Sequence, residues 1–301
     1  MVLSFVILLR LLEFFCIGKE VYIDFLLFHK VTISPQVQGY RMNGFQSLLL
    51  VLALVPTLTY HGVDLGKITA KYFHLMCATI LLSYCQAIAS LALSHGADPA
   101  SLSAKGNTGN PLVNLFHGRQ LNPNLLGANL KLQTFRCSMI GLALLNTLLV
   151  TEASMATQVN PTVVIAATYQ ILYAMDAMYY EECYFYSHDS LYSGYGWSLI
   201  SSYLTFPFLP TLVTRYLVGV SPSLPWTALA AITAMNLLGY YIYRSSENQR
   251  CQLAKDPAHP RWDLNLNENL SFLPQPRSPT DPRDHQRPPS YRLRLVGTGE
   301  F

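Results

Sequence analysis

Apolar residues along this chain gather into long runs that short polar segments separate. A run of about 20 mostly apolar residues is long enough to cross a bilayer as a helix. By this criterion we predict an all-α fold, a polytopic transmembrane helix bundle with about seven spans. The predicted spans are residues 2–17, 44–60, 70–94, 137–157, 162–180, 196–218 and 224–243.

Two of the predicted spans are unusual. The first contains Arg10 and Glu13, which lie three residues apart and can partly neutralise each other on one helix face. A secretory signal would begin with a basic region and end at a small-residue cleavage site. In residues 2–17 the basic residue, Arg10, lies too far from the start, and residues 16–19 are a poor cleavage site, so we favour a first span or half-span. The sixth contains two helix breakers, Pro207 and Pro210.

A polar, turn-rich segment, residues 106–123, interrupts the apolar pattern, and we call it the polar island. Glycines and prolines punctuate it at Gly106, Gly109, Pro111, Gly118 and Pro123. Because these residues free or fix the backbone, the pattern predicts a loop of defined shape here and not a helix. Further along, Asn160-Pro161 predicts a turn between the fourth and fifth spans.

Lysine and arginine are distributed unevenly between the predicted spans. With a lumenal N-terminus, the cytoplasmic segments are 18–43, 95–135, 181–195 and the residues from 244 onward. Their cations include Lys19, Lys30, Arg41, Lys105, Arg119, Lys131, Arg244 and Arg250. The opposite loops hold little beyond Lys67, so the positive-inside rule predicts this orientation, although 181–195 is acidic.

Composition supports a membrane domain and indicates that it ends near residue 258. Charged residues make up 12% of the chain, about half of the roughly 25% of globular domains. Residues 259–301 are rich in proline and arginine and hold too few apolar residues to offset the entropy lost on ordering. We therefore predict a membrane domain at 1–258 and a disordered cytoplasmic tail at 259–301.

The first candidate site lies around the end of the fifth predicted span. Its acidic residues are Asp176, Glu181, Glu182 and Asp189, and the tyrosines nearby are Tyr169, Tyr173, Tyr179, Tyr180, Tyr184 and Tyr186. Carboxyl groups in a poorly hydrated site can act as proton donors, and tyrosines can relay protons. An interfacial aromatic belt with solvated acids gives the same pattern, so composition alone leaves both readings open.

The second candidate site is residues 239–257, directly after the last predicted span. Arg244, Arg250 and Lys255 could bind phosphate groups, because guanidinium groups recognise phosphate through paired hydrogen bonds. The alternative is an ordinary positive-inside flank. The eight histidines are dispersed and form no short-spaced histidine box, so we expect no metal site.

Four collinear stretches resemble the motifs of one known family. They are Tyr40-Arg41-Met42-Asn43-Gly44, then Gly109-Asn110-Pro111 with Gly118-Arg119-Gln120-Leu121-Asn122-Pro123, then Asp176-Ala177 with Glu181-Glu182, Asp189 and Gly194-Tyr195-Gly196, and finally Gly239-Tyr240-Tyr241-Ile242-Tyr243-Arg244-Ser245 with Gln249-Arg250 and Asp256-Pro257. The family is that of the sterol reductases, which includes the delta(14)-sterol reductases and the lamin B receptor. The resemblance covers about residues 40–260.

The resemblance implies a multi-pass reductase of the endoplasmic reticulum or inner nuclear membrane. Such an enzyme reduces the sterol 14,15 double bond in sterol biosynthesis: a proton adds to the alkene, and hydride from NADPH quenches the carbocation. It implies catalytic residues at the sterol end, namely Tyr180, Glu181, Glu182 and Asp189. It implies cofactor-binding residues at Tyr241, Arg244, Gln249, Arg250 and Lys255. The expected partners are a sterol and the lipid bilayer, with no nucleic acid.

The resemblance ends near residue 260. Family members continue with a W-W-G-x-x-R-H-P-N-Y motif and further spans, which supply much of the cofactor pocket. We expect this chain to lack that C-terminal part. The alternative function is therefore a catalytically inactive, truncated member that acts as a sterol-binding or nuclear-envelope membrane protein.

Overall fold

A computed structural model describes residues 2–15, 19–24, 37–98, 101–103, 105–125, 128–156 and 160–255. This part of the chain is mostly helical, as predicted, and it adds two small two-stranded sheets. The chain divides into two compact units, Met1–Tyr240 and Tyr241–Phe301. The second unit is described as far as Lys255, so the predicted tail lies outside the described residues.

The elements follow in chain order. The helices are α1 (Val2–Phe15), α2 (Gly44–Tyr60), α3 (Gly66–Thr69), α4 (Tyr72–Leu93), α5 (Pro111–His117), α6 (Leu130–Ala156), α7 (Pro161–Tyr179), α8 (His188–Tyr192), α9 (Trp197–Thr205), α10 (Phe208–Val220) and α11 (Trp226–Lys255). Strand β1 (Lys19–Asp24) pairs antiparallel with β2 (Val37–Met42), and β3 (Asn124–Leu125) pairs antiparallel with β4 (Ala128–Asn129).

Helix α6 forms the centre of the first unit. It packs against α2, α7, α9 and α10, and its residues Ile140 and Ala143 are fully buried. They belong to an apolar core that also contains Leu48 of α2 and Ile200 of α9. Helix α6 therefore connects α2, α7, α9 and α10 through one apolar core.

Seven membrane spans are not confirmed. Two helices in the described part are long and apolar enough to cross a membrane, at Tyr72–Gly96 and Leu130–Met155, and Gly44–Tyr60 is a shorter apolar helix. The predicted sixth span is instead two helices, α9 and α10, that meet at Pro207. Each is shorter than the roughly 17 residues that a span requires.

Helix α6 begins at Leu130, seven residues before the predicted span. The Asn129 side chain explains this early start, because its Oδ1 accepts a hydrogen bond of 2.9 Å from the Leu132 amide. The extra helical turns contain Lys131 and Arg136, and both side chains are buried. The prediction that Lys131 lies in a loop is therefore wrong, since the residue is buried in a helix.

The polar island contains helix α5, so the prediction of a loop is wrong for residues 111–117. Asn110 caps this helix through a hydrogen bond of 3.0 Å from the Leu112 amide to its Oδ1, and Pro111 occupies the first helical position. The same pair of residue types begins α7, where Asn160 Oδ1 accepts from the Thr162 amide at 2.9 Å. Asn-Pro therefore marks a helix start at both places.

The polar island packs backbone to backbone against residues 194–196, the loop that begins α9. Gly118 has a φ of 79°, and a Cβ added there would lie 2.2 Å from the Gly196 nitrogen. Close by, the Tyr195 amide donates a hydrogen bond of 2.8 Å to the Gln120 carbonyl. Two of the motifs that suggested the family, residues 118–123 and 194–196, thus contact each other in the structure.

We expect Gly118→Ala to destabilise the protein more than Gly109→Ala. Both glycines have a positive φ, 79° and 80°, but an added Cβ meets backbone at Gly118 and open space at Gly109. The overpacking adds roughly 1–3 kcal/mol at Gly118, on top of the backbone strain of about 1–3 kcal/mol common to both. Thermal unfolding of the two purified variants measures the difference, and equal melting temperatures would contradict the close packing.

Candidate active site

The segment that carries the predicted acids, residues 181–193, follows the end of α7. It consists of a 3₁₀ turn, Glu181–Tyr186, and the short helix α8. Ser187 separates the two, and its Oγ accepts a hydrogen bond of 3.3 Å from the Ser190 amide. The change of direction at Ser187 gives Glu181 and Asp189 different neighbours.

Glu181 forms a buried ion pair with Arg136. The Arg136 Nε donates to Glu181 Oε1, and each side chain is only 3% exposed. The other carboxylate oxygen, Oε2, accepts from the Gly44 amide at 3.1 Å, and the Arg136 Nη2 donates to the Arg41 carbonyl at 2.6 Å. Both oxygens of Glu181 therefore bind α2 and α6 to the 3₁₀ turn that follows α7, which favours a structural role.

Gly44 shows how closely this ion pair is packed. A Cβ added at Gly44 would lie 2.7 Å from Glu181 Oε1 and 2.9 Å from the Met178 sulfur. The glycine that begins α2 thus leaves the space that the Glu181 carboxylate fills.

Asp189 contacts a tyrosine that lies on another helix. The Tyr203 hydroxyl, from α9, donates a hydrogen bond of 2.9 Å to Asp189 Oδ2. The side chain of Asp189 is 47% exposed, and His188 Nδ1 lies 3.9 Å from its other oxygen. Asp189 can therefore exchange protons with solvent on one side while it contacts Tyr203 on the other.

An aromatic cluster surrounds the Tyr203 ring. Its buried members are Tyr40, Leu132, Tyr184 and Phe185, and Met42, Phe135 and Tyr203 pack against them. Tyr184 stacks on Phe135 with ring centroids 4.4 Å apart, and its centroid is 6.3 Å from that of Tyr203. The Tyr184 side chain lies inside this cluster, farther from solvent than either Asp189 or Tyr203.

The hydroxyl of Tyr184 has an unusual environment. The residue is 7% exposed, and its hydroxyl oxygen is completely buried. Burial raises the pKa of Tyr184 well above its ordinary value, and the nearby Tyr203 and Asp189 raise it further. Burial also raises the pKa of Tyr40 to about 12. Both phenols therefore keep their protons at neutral pH.

Lys131 holds the backbone of α8. Its side chain is fully buried, and its Nζ donates to the carbonyls of Asp189 at 2.7 Å, Ser190 at 3.0 Å and Ser193 at 2.6 Å. The carbonyls at the end of a helix lack partners within the helix and carry partial negative charge. The ammonium group satisfies two carbonyls within α8, those of Asp189 and Ser190, and the carbonyl of its C-cap Ser193.

Three other predicted residues of this region are Tyr180, Glu182 and Asp176. Tyr180 is the C-terminal cap of α7 and is partly exposed, with its ring edge-on to Tyr179. Glu182 is half-buried in the 3₁₀ turn. Asp176 is buried, and its Oδ1 accepts a hydrogen bond of 2.9 Å from the Tyr240 hydroxyl.

The predicted cofactor residues all belong to the second unit, Tyr241–Phe301. Arg244 Nε donates to Asn248 Oδ1 at 3.0 Å, and Arg250 Nη2 donates to Glu247 Oε2. Tyr241 is exposed and Gln249 is half-buried, while the side chain of Lys255 lies outside the described part. Two guanidinium groups suit phosphate recognition, and an incoming phosphate would replace Glu247 as the anionic partner of Arg250.

Three residues of this site were not identified from the sequence as site residues. Arg136 and Lys131 are cations next to an apolar run, a position that is typical of a loop flank as well. Tyr203 lies inside a predicted span, where a hydroxyl group that needs a partner is a weak signal. Among the described residues, no group of three or more His, Cys, Asp and Glu side chains is arranged to hold a metal ion.

Comparison with known proteins identifies the family to which this chain belongs. The family described as "Ergosterol biosynthesis ERG4/ERG24 family" matches residues 1–272. The chain therefore belongs to this family of sterol reductases, as the motifs predicted.

Individual relatives are similar over most of this chain. The chain is 30% identical over 233 residues to the delta(14)-sterol reductase LBR of Gallus gallus, a match that covers 76% of this chain and 37% of the relative. It is 29% identical over 258 residues to the delta(14)-sterol reductase TM7SF2 of Mus musculus, covering 83% and 62%. A delta(14)-sterol reductase of Methylotuvimicrobium alcaliphilum is 29% identical over 245 residues, covering 76% and 56%. The chain thus spans less than two thirds of the length of these relatives.

Proposed function

We propose that this chain reduces the 14,15 double bond of a sterol precursor with NADPH. Membership of the sterol reductase family and the similarity to proteins named delta(14)-sterol reductases support the reaction type. One structural observation carries the proposal: the Asp189 carboxylate, which solvent can reach, contacts Tyr203 at the edge of a buried aromatic cluster. That arrangement suits transfer of a proton from solvent into an apolar site.

The proton-delivery step follows from this contact. A protonated Asp189 gives its proton to the Tyr203 oxygen while Tyr203 gives its own proton to one alkene carbon of the sterol. The step breaks the O–H bonds of Asp189 and Tyr203, forms a new O–H bond on Tyr203 and a C–H bond on the sterol, and leaves a carboxylate at Asp189 and a carbocation on the sterol. The buried Tyr184 hydroxyl would be available to a polar group of the substrate. The aromatic rings around it exclude water, which would otherwise capture the cation.

NADPH would supply the hydride that quenches the carbocation. Arg244 and Arg250 would hold its phosphate groups, and Tyr241, Gln249 and Lys255 are further candidates along the same helix. Both arginines donate hydrogen bonds along α11, so their guanidinium groups are oriented before a phosphate binds.

We further propose a multi-pass protein of the endoplasmic reticulum or inner nuclear membrane, with sterol and lipid as its partners. The long apolar helices α4 and α6 support insertion into a membrane. The excess of cations in alternate segments of the sequence supports a cytoplasmic C-terminus.

We expect an epitope tag after Phe301 to face the cytoplasm. Selective permeabilisation of the plasma membrane should then let an antibody reach the tag, while a lumenal marker protein stays protected. A tag that reacts only after full permeabilisation would reverse the orientation.

The direct experiment is a turnover assay. Microsomes that contain the full chain should convert a 14,15-unsaturated sterol to its reduced product when NADPH is added, and microsomes without the chain provide the background. Sterol binding without turnover would instead support the non-catalytic alternative.

We expect Arg250→Ala to raise the KM for NADPH about tenfold, because one charge-assisted hydrogen bond to phosphate contributes roughly 1.5–3 kcal/mol. The matched control is Lys105→Ala, which removes an exposed cation from the polar island region. Steady-state rates at varied NADPH measure both variants. Equal KM values for Arg250→Ala and the wild type would remove Arg250 from the cofactor site.

A further inference from the structure

Lys131 is a fully buried lysine whose three hydrogen bonds all go to backbone carbonyls. Buried lysines usually pair with a carboxylate, since an ammonium group loses its hydration when it is buried. Here three carbonyls between Asp189 and Ser193 replace the water. The ammonium group therefore interacts with one short piece of backbone, from Asp189 in the first turn of α8 to its C-cap Ser193.

The position of that backbone decides where the Asp189 side chain lies. The first carbonyl that Lys131 contacts belongs to Asp189 itself, and the carboxylate of the same residue accepts from Tyr203 at 2.9 Å. Helix α8 has only five residues, too few to be stable without tertiary contacts. Lys131 lies in the first turn of α6 and Tyr203 lies on α9, and these two helices pack against each other.

We propose that Lys131 is a positioning residue for proton delivery: its ammonium group fixes the backbone of residues 189–193 and so keeps the Asp189 carboxylate in contact with Tyr203. This inference rests on the proposed function for its catalytic meaning. A displacement of about 1 Å at a reacting group can cost about 10²-fold in rate, so loss of the ammonium group should reduce turnover without removing any group that touches the sterol.

The first experiment measures turnover in the full chain. Lys131→Met keeps the apolar stem and removes the three donors, and we expect kcat to fall about 10²-fold with the KM for sterol changed less than about threefold. When Lys131→Met is added to Asp189→Asn, we expect kcat to fall by less than a further factor of about three. The carboxylate that Lys131 positions is already lost in Asp189→Asn. If the double variant instead shows the product of the two single reductions in kcat, the two residues act independently and the positioning role is overturned.

The second experiment does not need activity. In the purified chain, Tyr203→Phe should lower the melting temperature by roughly 3 °C or more, since it removes a hydrogen bond to a carboxylate. In the Lys131→Met background it should lower the melting temperature by less than about 1 °C. Hydrogen exchange of the amides in residues 187–193 should be at least about tenfold faster in Lys131→Met than in the wild type.

Controls separate this proposal from a general loss of folding and from failure of the proposed function. Lys67→Met removes a lysine whose side chain is 77% exposed and should change neither measurement. If Lys131→Met does not fold, Lys131→Gln keeps amide donors at the same position and should show smaller shifts of the same sign. If the wild type shows no turnover but the melting temperatures still show coupling between Lys131 and Tyr203, the proposed reductase function is rejected and the positioning contact is supported. Additive melting shifts would reject the contact itself.

Discussion

Arg136→Met is expected to destabilise the protein by about 3–5 kcal/mol, because it leaves the Glu181 carboxylate buried without its cation. The substitution also removes the donor to the Arg41 carbonyl, so the chain that enters α2 loses its tie to α6. Thermal unfolding of the purified protein measures the effect. Because the pair joins α2, α6 and the 3₁₀ turn after α7, we expect the variant to unfold at a clearly lower temperature than any surface variant.

Two controls define the cause of this loss. Lys67→Met breaks an exposed ion pair with Asp64, where N and O are 3.5 Å apart, and should cost less than about 1 kcal/mol. The double variant Arg136→Met with Glu181→Met removes both charges and should regain part of the stability that Arg136→Met loses. A double variant less stable than Arg136→Met alone would show that packing, and not the unpaired charge, dominates.

Asp189→Asn and Tyr203→Phe are each expected to lower kcat by about 10²–10⁴-fold, the usual contribution of a positioned acid. Asparagine keeps the shape of the aspartate side chain but cannot donate an acidic proton, and phenylalanine removes the hydroxyl that relays it. Because the two residues form one contact at 2.9 Å, the double variant should be little worse than either single variant. Steady-state turnover of a 14,15-unsaturated sterol measures all three.

A matched control guards against a general effect of removing a carboxylate. Asp64→Asn changes an exposed aspartate in the turn after α2 and should leave kcat within about twofold of the wild type. A full rate in Asp189→Asn would exclude Asp189 as the source of the proton.

Apolar patterning predicted most of the helical core. The span predicted at 44–60 coincides with α2, and the predicted turn at Asn160-Pro161 begins α7. The patterning failed where a cap or a proline moved a boundary. Asn129 starts α6 seven residues early, Pro207 divides the predicted sixth span, and Asn110 starts a helix inside the polar island. Such boundaries depend on single side-chain hydrogen bonds, which an average over 20 residues does not detect.

The candidate site was predictable in its residue types but not in its contacts. Clustered acids and tyrosines indicated the 181–189 region, yet the sequence gives no reason to separate Glu181 from Asp189. Their different environments arise from residues that are distant in the chain, Arg136 for the first and Tyr203 for the second. Lys131 was expected in a loop because a lysine next to an apolar run usually lies in a solvated segment beside a membrane span. Only the structure shows that its side chain is buried.

The isotope content of the reduced sterol tests the central claim most directly. The full chain is incubated with a 14,15-unsaturated sterol and unlabelled NADPH in D₂O, and the product is analysed by mass spectrometry. We predict one deuterium per product molecule from solvent in the wild type, and a product yield at least about 10²-fold lower with Asp189→Asn. No reduced sterol from the wild type, or an equal yield of the same labelled product from Asp189→Asn, would contradict the account.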